Sequence, residues 1–286
     1  MGKYYILANP YAKTGTGEKS AQGVKQYLEG EKLEFLNIVD VSKDYPGFFG
    51  KLNEDDKLVI CGGDGTLNRF VNGCGGIIPK NNIYNFPLGT GNDFTLDLGY
   101  KRRGAPILIN KYLTNLPYVE VKGEKHLFLN NVAFGIDSWV CEVADAQKAV
   151  NPKAKTNYTT IALKGLLGAY SPCNAKITVD GKSSEYKKVW MAPTMNGRFF
   201  GGGMMVTPNQ DRMNPKRTIT LMIFHNGSRF HIATGFPSIF SGKHVNNPRV
   251  LFFEGNEIIV EYDEPRAVQI DGETVLGVTK YRAVKN

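Results

Sequence analysis

The sequence predicts an α/β domain built on a parallel sheet over residues 1–120, followed by a β-rich domain over residues 121–286. Three observations carry this reading. Short apolar runs in the first part alternate with polar, helix-forming stretches, the rhythm of parallel strands joined by crossover helices. Two glycine turns, Gly62-Gly63-Asp64-Gly65 and Gly89-Thr90-Gly91-Asn92, each follow an apolar run and precede a helix start. Beyond about Lys122, apolar and polar residues alternate, the period-two pattern of half-buried strands.

Tyr4–Ala8 reads as a buried strand, running into a Gly/Thr loop from Pro10 to Gly17 and a helix over Glu18–Glu29. Leu33–Val41 and Lys57–Cys61 read as the second and third strands. Thr66 is expected to cap a short helix carrying Leu67, Phe70 and Val71. Ile83–Leu88 is the fourth strand. In the second domain Lys176–Val179, Lys187–Met191, Thr218–Phe224, Arg249–Phe253, Glu257–Glu261, Ala267–Ile270 and Leu276–Val284 read as strands. Helical stretches over Thr159–Ala169 and Phe230–Phe240 interrupt them. No Gly/Ser linker marks the boundary near 120, so tightly packed domains with an active-site cleft between them are expected.

Composition narrows the function classes. With 42% hydrophobic and 22% charged residues in 286, the chain is an ordinary globular one. That excludes a disordered chain, a collagen-like chain and a disulfide mini-protein. Lys and Arg number 35 against 27 Asp and Glu, a net charge of +8 that suits an anionic partner. The basic residues are scattered, without an aromatic-interleaved basic run or a recognition helix, so nucleic acid is not expected as a partner. No stretch approaches the roughly 18 apolar residues of a membrane span. The opening apolar run ends at Asn9-Pro10, too early for a signal peptide. The 4 cysteines form no Cys-x-x-Cys pair. A cytoplasmic protein associated peripherally with membrane is the expectation, and a homodimer is compatible with it.

The chemistry concentrates in the glycine turns. In Cys61-Gly62-Gly63-Asp64-Gly65-Thr66-Leu67-Asn68-Arg69 the glycines let backbone N–H groups approach phosphates closely, and the helix behind adds its positive end. One carboxylate inside such a turn, Asp64, suits a magnesium contact, direct or through water. Pro87-Leu88-Gly89-Thr90-Gly91-Asn92-Asp93-Phe94 repeats the logic, and Asp93 would face the same strand-end crevice. Asn9-Pro10-Tyr11-Ala12-Lys13 opens a polar loop at a strand end. It fails the phosphate-loop pattern, because Lys19 follows Glu18 rather than glycine, but it stands where a nucleotide could be touched. Asp271-Gly272-Glu273 reads as a hairpin turn carrying two carboxylates.

The ordered set of Asn9-Pro10, GGDGTLN and P-x-GTGNDF resembles the bacterial diacylglycerol kinase and lipid kinase family, related to sphingosine and ceramide kinases. The resemblance continues through Asn130–Asp137, Gly201-Gly202-Gly203-Met204, Gly242-Lys243-His244 and Asp271-Gly272-Glu273, so it spans nearly the whole chain. It implies a phosphofructokinase-like nucleotide domain, a β-rich lipid domain, and ATP-dependent phosphorylation of a hydroxyl on a membrane lipid such as diacylglycerol, with ATP and Mg2+ as cofactors. The nucleotide would lie across Asn9, Pro10, Tyr11, Ala12 and Lys13, across Gly63, Asp64, Gly65, Thr66, Leu67, Asn68 and Arg69, and across Thr90 and Asn92, with Ser42 near the base or ribose. Asp271 matches the family's proposed general base, and Glu273 is the other carboxylate that could serve. Asp64 and Asp93 are the metal candidates. A NAD kinase-like enzyme, which shares GGDGT, is the alternative. One departure stands out. Asn214-Pro215, followed by Lys216-Arg217, replaces the acidic pair that relatives with a structural magnesium carry, so that site is expected to be absent.

Overall fold

A computed structural model describes residues 2–151 and 156–286, with the side chains of Lys13, Thr14 and Thr159 left out. The chain divides into two compact units, one ending at Leu116 and the other starting at Pro117. The expected boundary at 120/121 falls inside a strand, Tyr118–Val121, that pairs within the second unit.

The first unit holds β1 (Tyr4–Ala8), β2 (Leu33–Asn37), β3 (Lys57–Gly62), β4 (Asn82–Pro87) and β5 (Ile107–Leu108) in the order β2-β1-β3-β4-β5. The first four are parallel; β5 runs antiparallel to β4. Helical segments connect them: α1 (Ala12–Gly15), α2 (Gly17–Ala21), α3 (Ile38–Val41), α4 (Tyr45–Phe49), α5 (Asp64–Gly73), α6 (Asp93–Asp97) and α7 (Asn110–Leu113). Leu58, Val59, Ile60 and Cys61 are all fully buried, so β3 is covered on both faces, as central parallel strands are.

Local chemistry explains where this unit departs from the sequence reading. The expected strand Leu33–Val41 stops at Asn37, whose side-chain oxygen accepts the Val39 N–H at 2.9 Å and starts α3. The expected helix Glu18–Glu29 is α2 followed by a 3-10 stretch over Gln22–Tyr27. Thr66 is not the cap of α5. Gly63 holds that position, and Thr66 lies a turn inside, accepting a hydrogen bond from Asn9.

The second unit is a ten-stranded antiparallel sheet plus a small hairpin. Its strands are β6 (Tyr118–Val121), β7 (Glu124–Leu127), β8 (Asn131–Gly135), β9 (Cys173–Val179), β10 (Lys182–Val189), β11 (Met191–Met195), the hairpin pair β12 (Phe199–Phe200) and β13 (Met204–Met205), β14 (Ile219–Phe224), β15 (Val250–Gly255), β16 (Glu257–Ile270) and β17 (Glu273–Val284). The main path runs β15-β14-β11-β8-β16-β17-β6-β7, with β9 and β10 added along β16. The helices are α8 (Ile136–Val150), α9 (Tyr158–Lys164) and α10 (Arg229–Gly235). Phe134 stacks on Tyr262 at 4.4 Å in the middle of the core, beside Val132, Val268 and Ile270.

Two strands expected separately, Glu257–Glu261 and Ala267–Ile270, are one long β16 whose register shifts around Pro265, where a ladder donor is missing anyway. The run Lys187–Met191 is instead split between β10 and β11, with Lys188 in the left-handed region at φ 51°. The expected helix Phe230–Phe240 is α10, closed by a capping box between Ser228 and His231, followed by a 3-10 segment, Phe236–Ser241, that contains Pro237. Asn130–Asp137 does not continue as a strand: it turns at Gly135 into α8.

Candidate functional site

Because β1 to β4 are parallel, their carboxyl ends share one edge of the sheet, where ligands of such sheets collect. Asn9 follows β1, the Ser42 turn follows β2 and α3, Gly63 follows β3 and Thr90 follows β4. The ends are tied across the sheet by main-chain bonds. Asn9 N–H donates to the Cys61 carbonyl at 3.2 Å and Leu88 N–H to the Gly62 carbonyl at 2.8 Å. The Asn9 amide donates to Thr66 Oγ1 at 2.8 Å, and its own Oδ1 accepts the Tyr11 N–H at 3.0 Å. One asparagine thus fixes both the first loop and the start of α5.

The two glycine turns are packed against each other. A Cβ on Gly89 would stand 2.7 Å from Gly63 Cα and 2.5 Å from Asn92 Oδ1, so only glycine fits. Asn92 is left-handed at φ 50° and donates to the Gly89 and Arg102 carbonyls at 2.8 and 2.7 Å, which shapes the second turn. Asp64 is the clasp. Its two oxygens accept the N–H groups of Asp93 and Phe94 at 2.8 and 3.0 Å, so the carboxylate at the start of α5 also caps α6.

The expected contacts divide by exposure. Tyr11, Ser42, Arg69 and Thr90 are exposed, and Gly63, Asp64 and Gly65 are half-buried at the edge. Leu67 lies in the core, and Thr66, Asn68, Asn92 and Asp93 are buried beneath the turns. Pro10 and Ala12 are half-buried beside Asn9. The Lys13 side chain lies outside the described residues. Among the described residues no cluster of three or more His, Cys, Asp or Glu is arranged to hold a metal by itself. A magnesium ion that keeps most of its shell on nucleotide phosphates needs only one or two carboxylates from the protein; of the two expected, Asp64 stands half-buried at the edge with both oxygens accepting N–H groups, and Asp93 is buried.

In the second unit Asp271-Gly272 forms the turn between β16 and β17, both residues at positive φ, 47° and 92°. The Asp271 carboxylate accepts three main-chain N–H groups, from Leu129, Asn130 and Asn131. Glu273, two residues on, is exposed. Gln269 ties this turn to a residue that the sequence reading did not single out. Gly272 N–H donates to Gln269 Oε1 at 2.8 Å, and Gln269 Nε2 donates to Asp137 Oδ2 at 3.4 Å. Asp137 stands in the first turn of α8, its Oδ1 buried without a hydrogen-bond partner. Burial pushes its carboxyl up to about 7. The signal was present: Gly135-Ile136-Asp137 repeats the strand–glycine–acid pattern of the first unit. A Cβ on Gly135 would stand 2.6 Å from the Trp190 carbonyl.

The loop after Pro208 does not suit a structural magnesium. Asn214 Oδ1 accepts from the Thr218 N–H at 2.9 Å, and its Nδ2 donates to the Asp211 carbonyl at 2.7 Å. The buried Lys285 ammonium donates to the Arg212 carbonyl at 2.6 Å and to Asn196 Oδ1 at 2.8 Å. The Arg212 carbonyl of this loop is thus paired with a protein cation.

Both units match known protein families. Residues 3–115 match the diacylglycerol kinase catalytic domain. Residues 130–283 match the YegS C-terminal NAD kinase beta sandwich-like domain. A diacylglycerol kinase of Mycobacterium tuberculosis is 26% identical over 274 residues, covering 91% of this chain and 85% of the relative. A diacylglycerol kinase of Bacillus subtilis is 26% identical over 231 residues, covering 78% and 72%. A diacylglycerol kinase crystal structure from Bacillus anthracis superposes with a TM-score of 0.66 at 20% identity, covering 99% of this chain and 94% of that one.

Proposed function

The chain belongs to the bacterial diacylglycerol kinase and lipid kinase family, and from that premise we propose that it transfers the γ-phosphoryl group of ATP to a hydroxyl of a membrane lipid such as diacylglycerol. The observation that carries the reading is the interlocked pair of glycine turns at the carboxyl edge of the parallel sheet, clasped by Asp64. Main-chain N–H groups, the start of α5 and an open edge suit phosphates, and a Cβ at Gly65 would meet nothing within 4 Å. Asn9 to Lys13 and Thr90 flank the phosphates, Ser42 lies toward the base or ribose, and Arg69 supplies an exposed positive charge. Bound Mg2+, accompanying the nucleotide, neutralises phosphate charge. A NAD kinase-like activity is not favoured, because the first unit matches the diacylglycerol kinase catalytic domain.

Phosphoryl transfer of this kind is mostly positioning and charge neutralisation, with little proton transfer before the bond to phosphorus forms. A carboxylate that is fixed in place suits that late proton acceptance. Asp271, gripped by three amides, fills the role, and Glu273 on the same turn is the competing carboxylate. Replacing Asp64 by Ala removes the clasp between the turns and is expected to abolish lipid-dependent ATP turnover. Retained turnover in Asp64→Ala would refute the placement of the nucleotide.

A further inference from the structure

Two short helical segments of the second unit each bury one face and leave a second apolar face in solvent. In the first, α9 and the single π-turn Gly165–Ala169 bury Ile161 and Leu166 but expose Leu163 and Leu167. Leu167 is 85% exposed, and Gly168, at φ 147°, makes the backbone turn that only glycine takes easily. In the second, α10 and the 3-10 segment Phe236–Ser241 bury Ile232 and Ile239 but expose Phe230, at 72%, and Phe240. The Arg229 guanidinium joins the two, donating to the carbonyls of Tyr170 at 2.8 Å and Gly165 at 3.3 Å. Leu166 and Ile232 belong to the same core cluster beneath them.

The sequence that carries these side chains is poor in acid. The chain holds 27 acidic residues in 286, yet none lies between Asp145 and Asp180 and none between Asp211 and Glu254. These two acid-free runs contain both segments, and Lys164 and Lys243 are exposed within them. Large apolar side chains standing in water, with exposed Lys164 and Lys243 in the same runs, are the composition of a surface that lies in the headgroup layer of an anionic bilayer. A second copy of the chain would bring positive against positive, which disfavours self-association through this face.

We propose that this face is the membrane-docking surface, with Leu163, Leu167, Phe230 and Phe240 entering the lipid interface and Lys164 and Lys243 meeting anionic headgroups. For the identity of its occupant it rests on the lipid kinase reading. It adds an apolar anchor to what charge alone would give, so binding is expected to outlast salt concentrations that screen the basic residues.

The test is vesicle co-sedimentation of the full chain, using phosphatidylcholine alone and phosphatidylcholine mixed with phosphatidylglycerol. The paired substitution Leu167→Ser with Phe230→Ser removes the anchor from exposed sites, so the fold is kept. Ile77→Ser, at an exposed apolar site of the first unit, is the control. The paired variant is expected to lose about tenfold or more of its partitioning onto the mixed vesicles. The control keeps it, and the paired variant turns over a soluble short-chain diacylglycerol at the wild-type rate. Wild-type partitioning by the paired variant would overturn the proposal. So would an unchanged partition accompanied by loss of a dimer in sedimentation velocity, which would assign the face to a second copy. If the chain phosphorylates no short-chain diacylglycerol but the paired variant still leaves the vesicles, the docking surface stands and the lipid kinase reading falls.

Discussion

Three amide N–H groups converge on the Asp271 carboxylate, and any substitution there is felt twice. Asp271→Asn keeps the shape but turns one acceptor into a donor facing N–H groups. It should lower stability by roughly 1–3 kcal/mol and kcat by two or more orders of magnitude, with little change in ATP affinity. Glu273→Gln, at an exposed site, should leave the melting temperature unchanged. Kinetics of both variants beside their melting curves decide between the carboxylates. An active Asp271→Asn with a dead Glu273→Gln moves the role to Glu273. Asp137 gives a pH prediction. Its carboxyl, about 7 when folded against 3.8 as the reference, binds its proton more tightly in the folded state. Its contribution to stability is therefore full below about pH 4 and is lost as pH rises toward and through about 7. Asp137→Asn removes that loss, so the variant's melting temperature should gain on the wild type as pH rises from about 5 to about 8. Parallel curves for the two proteins would contradict the buried, titrating acid. Asp64 and Asp93 were legible from sequence because each sits in a short strand–glycine–helix pattern. Asp137 was not singled out because Gln269, its side-chain partner, lies 132 residues away along the chain.

The glycine turns act as elements rather than as residues. With Gly63 and Gly89 in backbone contact, Gly89→Ala must push the turns apart. ATP affinity is expected to fall about tenfold or more while the second unit keeps its fold, measured by nucleotide titration beside circular dichroism. An unaltered affinity would mean that the phosphates lie elsewhere. The loop from Pro208 to Thr218 is held by Lys285, so its stability should not depend on divalent cations. Chelator should leave the melting temperature unchanged, whereas Lys285→Met should lower it by about 4–8 °C. A chelator-sensitive wild type would contradict this. Strand β3 of the first unit was legible because both its faces are buried and its apolar run is continuous. The start of α3 was not, because a single Asn37 side chain ends the strand within an apolar stretch. Helix α8 was hidden for a similar reason. Ile136, Val140 and Ala144 recur every four residues, but the apolar run of β8 leads straight into them.

At the scale of the molecule, the division of labour follows the two units. The first carries the interlocked glycine turns, and the second carries the acidic turn and the exposed apolar side chains. Among the described residues no helix is long and apolar enough to cross a membrane. The net charge of +8 should make vesicle binding rise with anionic lipid and weaken with salt, down to the residue that the apolar face sustains. Where one unit stops was less legible than what each contains, because it is the pairing of Tyr118–Val121 with β7 and β17 that assigns that strand to the second unit. The measurement that bears most directly on the whole account is transfer of labelled phosphate from γ-labelled ATP, with Mg2+, to a panel of lipids in mixed micelles, with NAD as a separate acceptor. The account predicts a phosphorylated lipid with a free hydroxyl, diacylglycerol among the acceptors, no labelled NADP, and loss of the lipid product in Asp64→Ala. Labelled NADP with every lipid unmodified would contradict it.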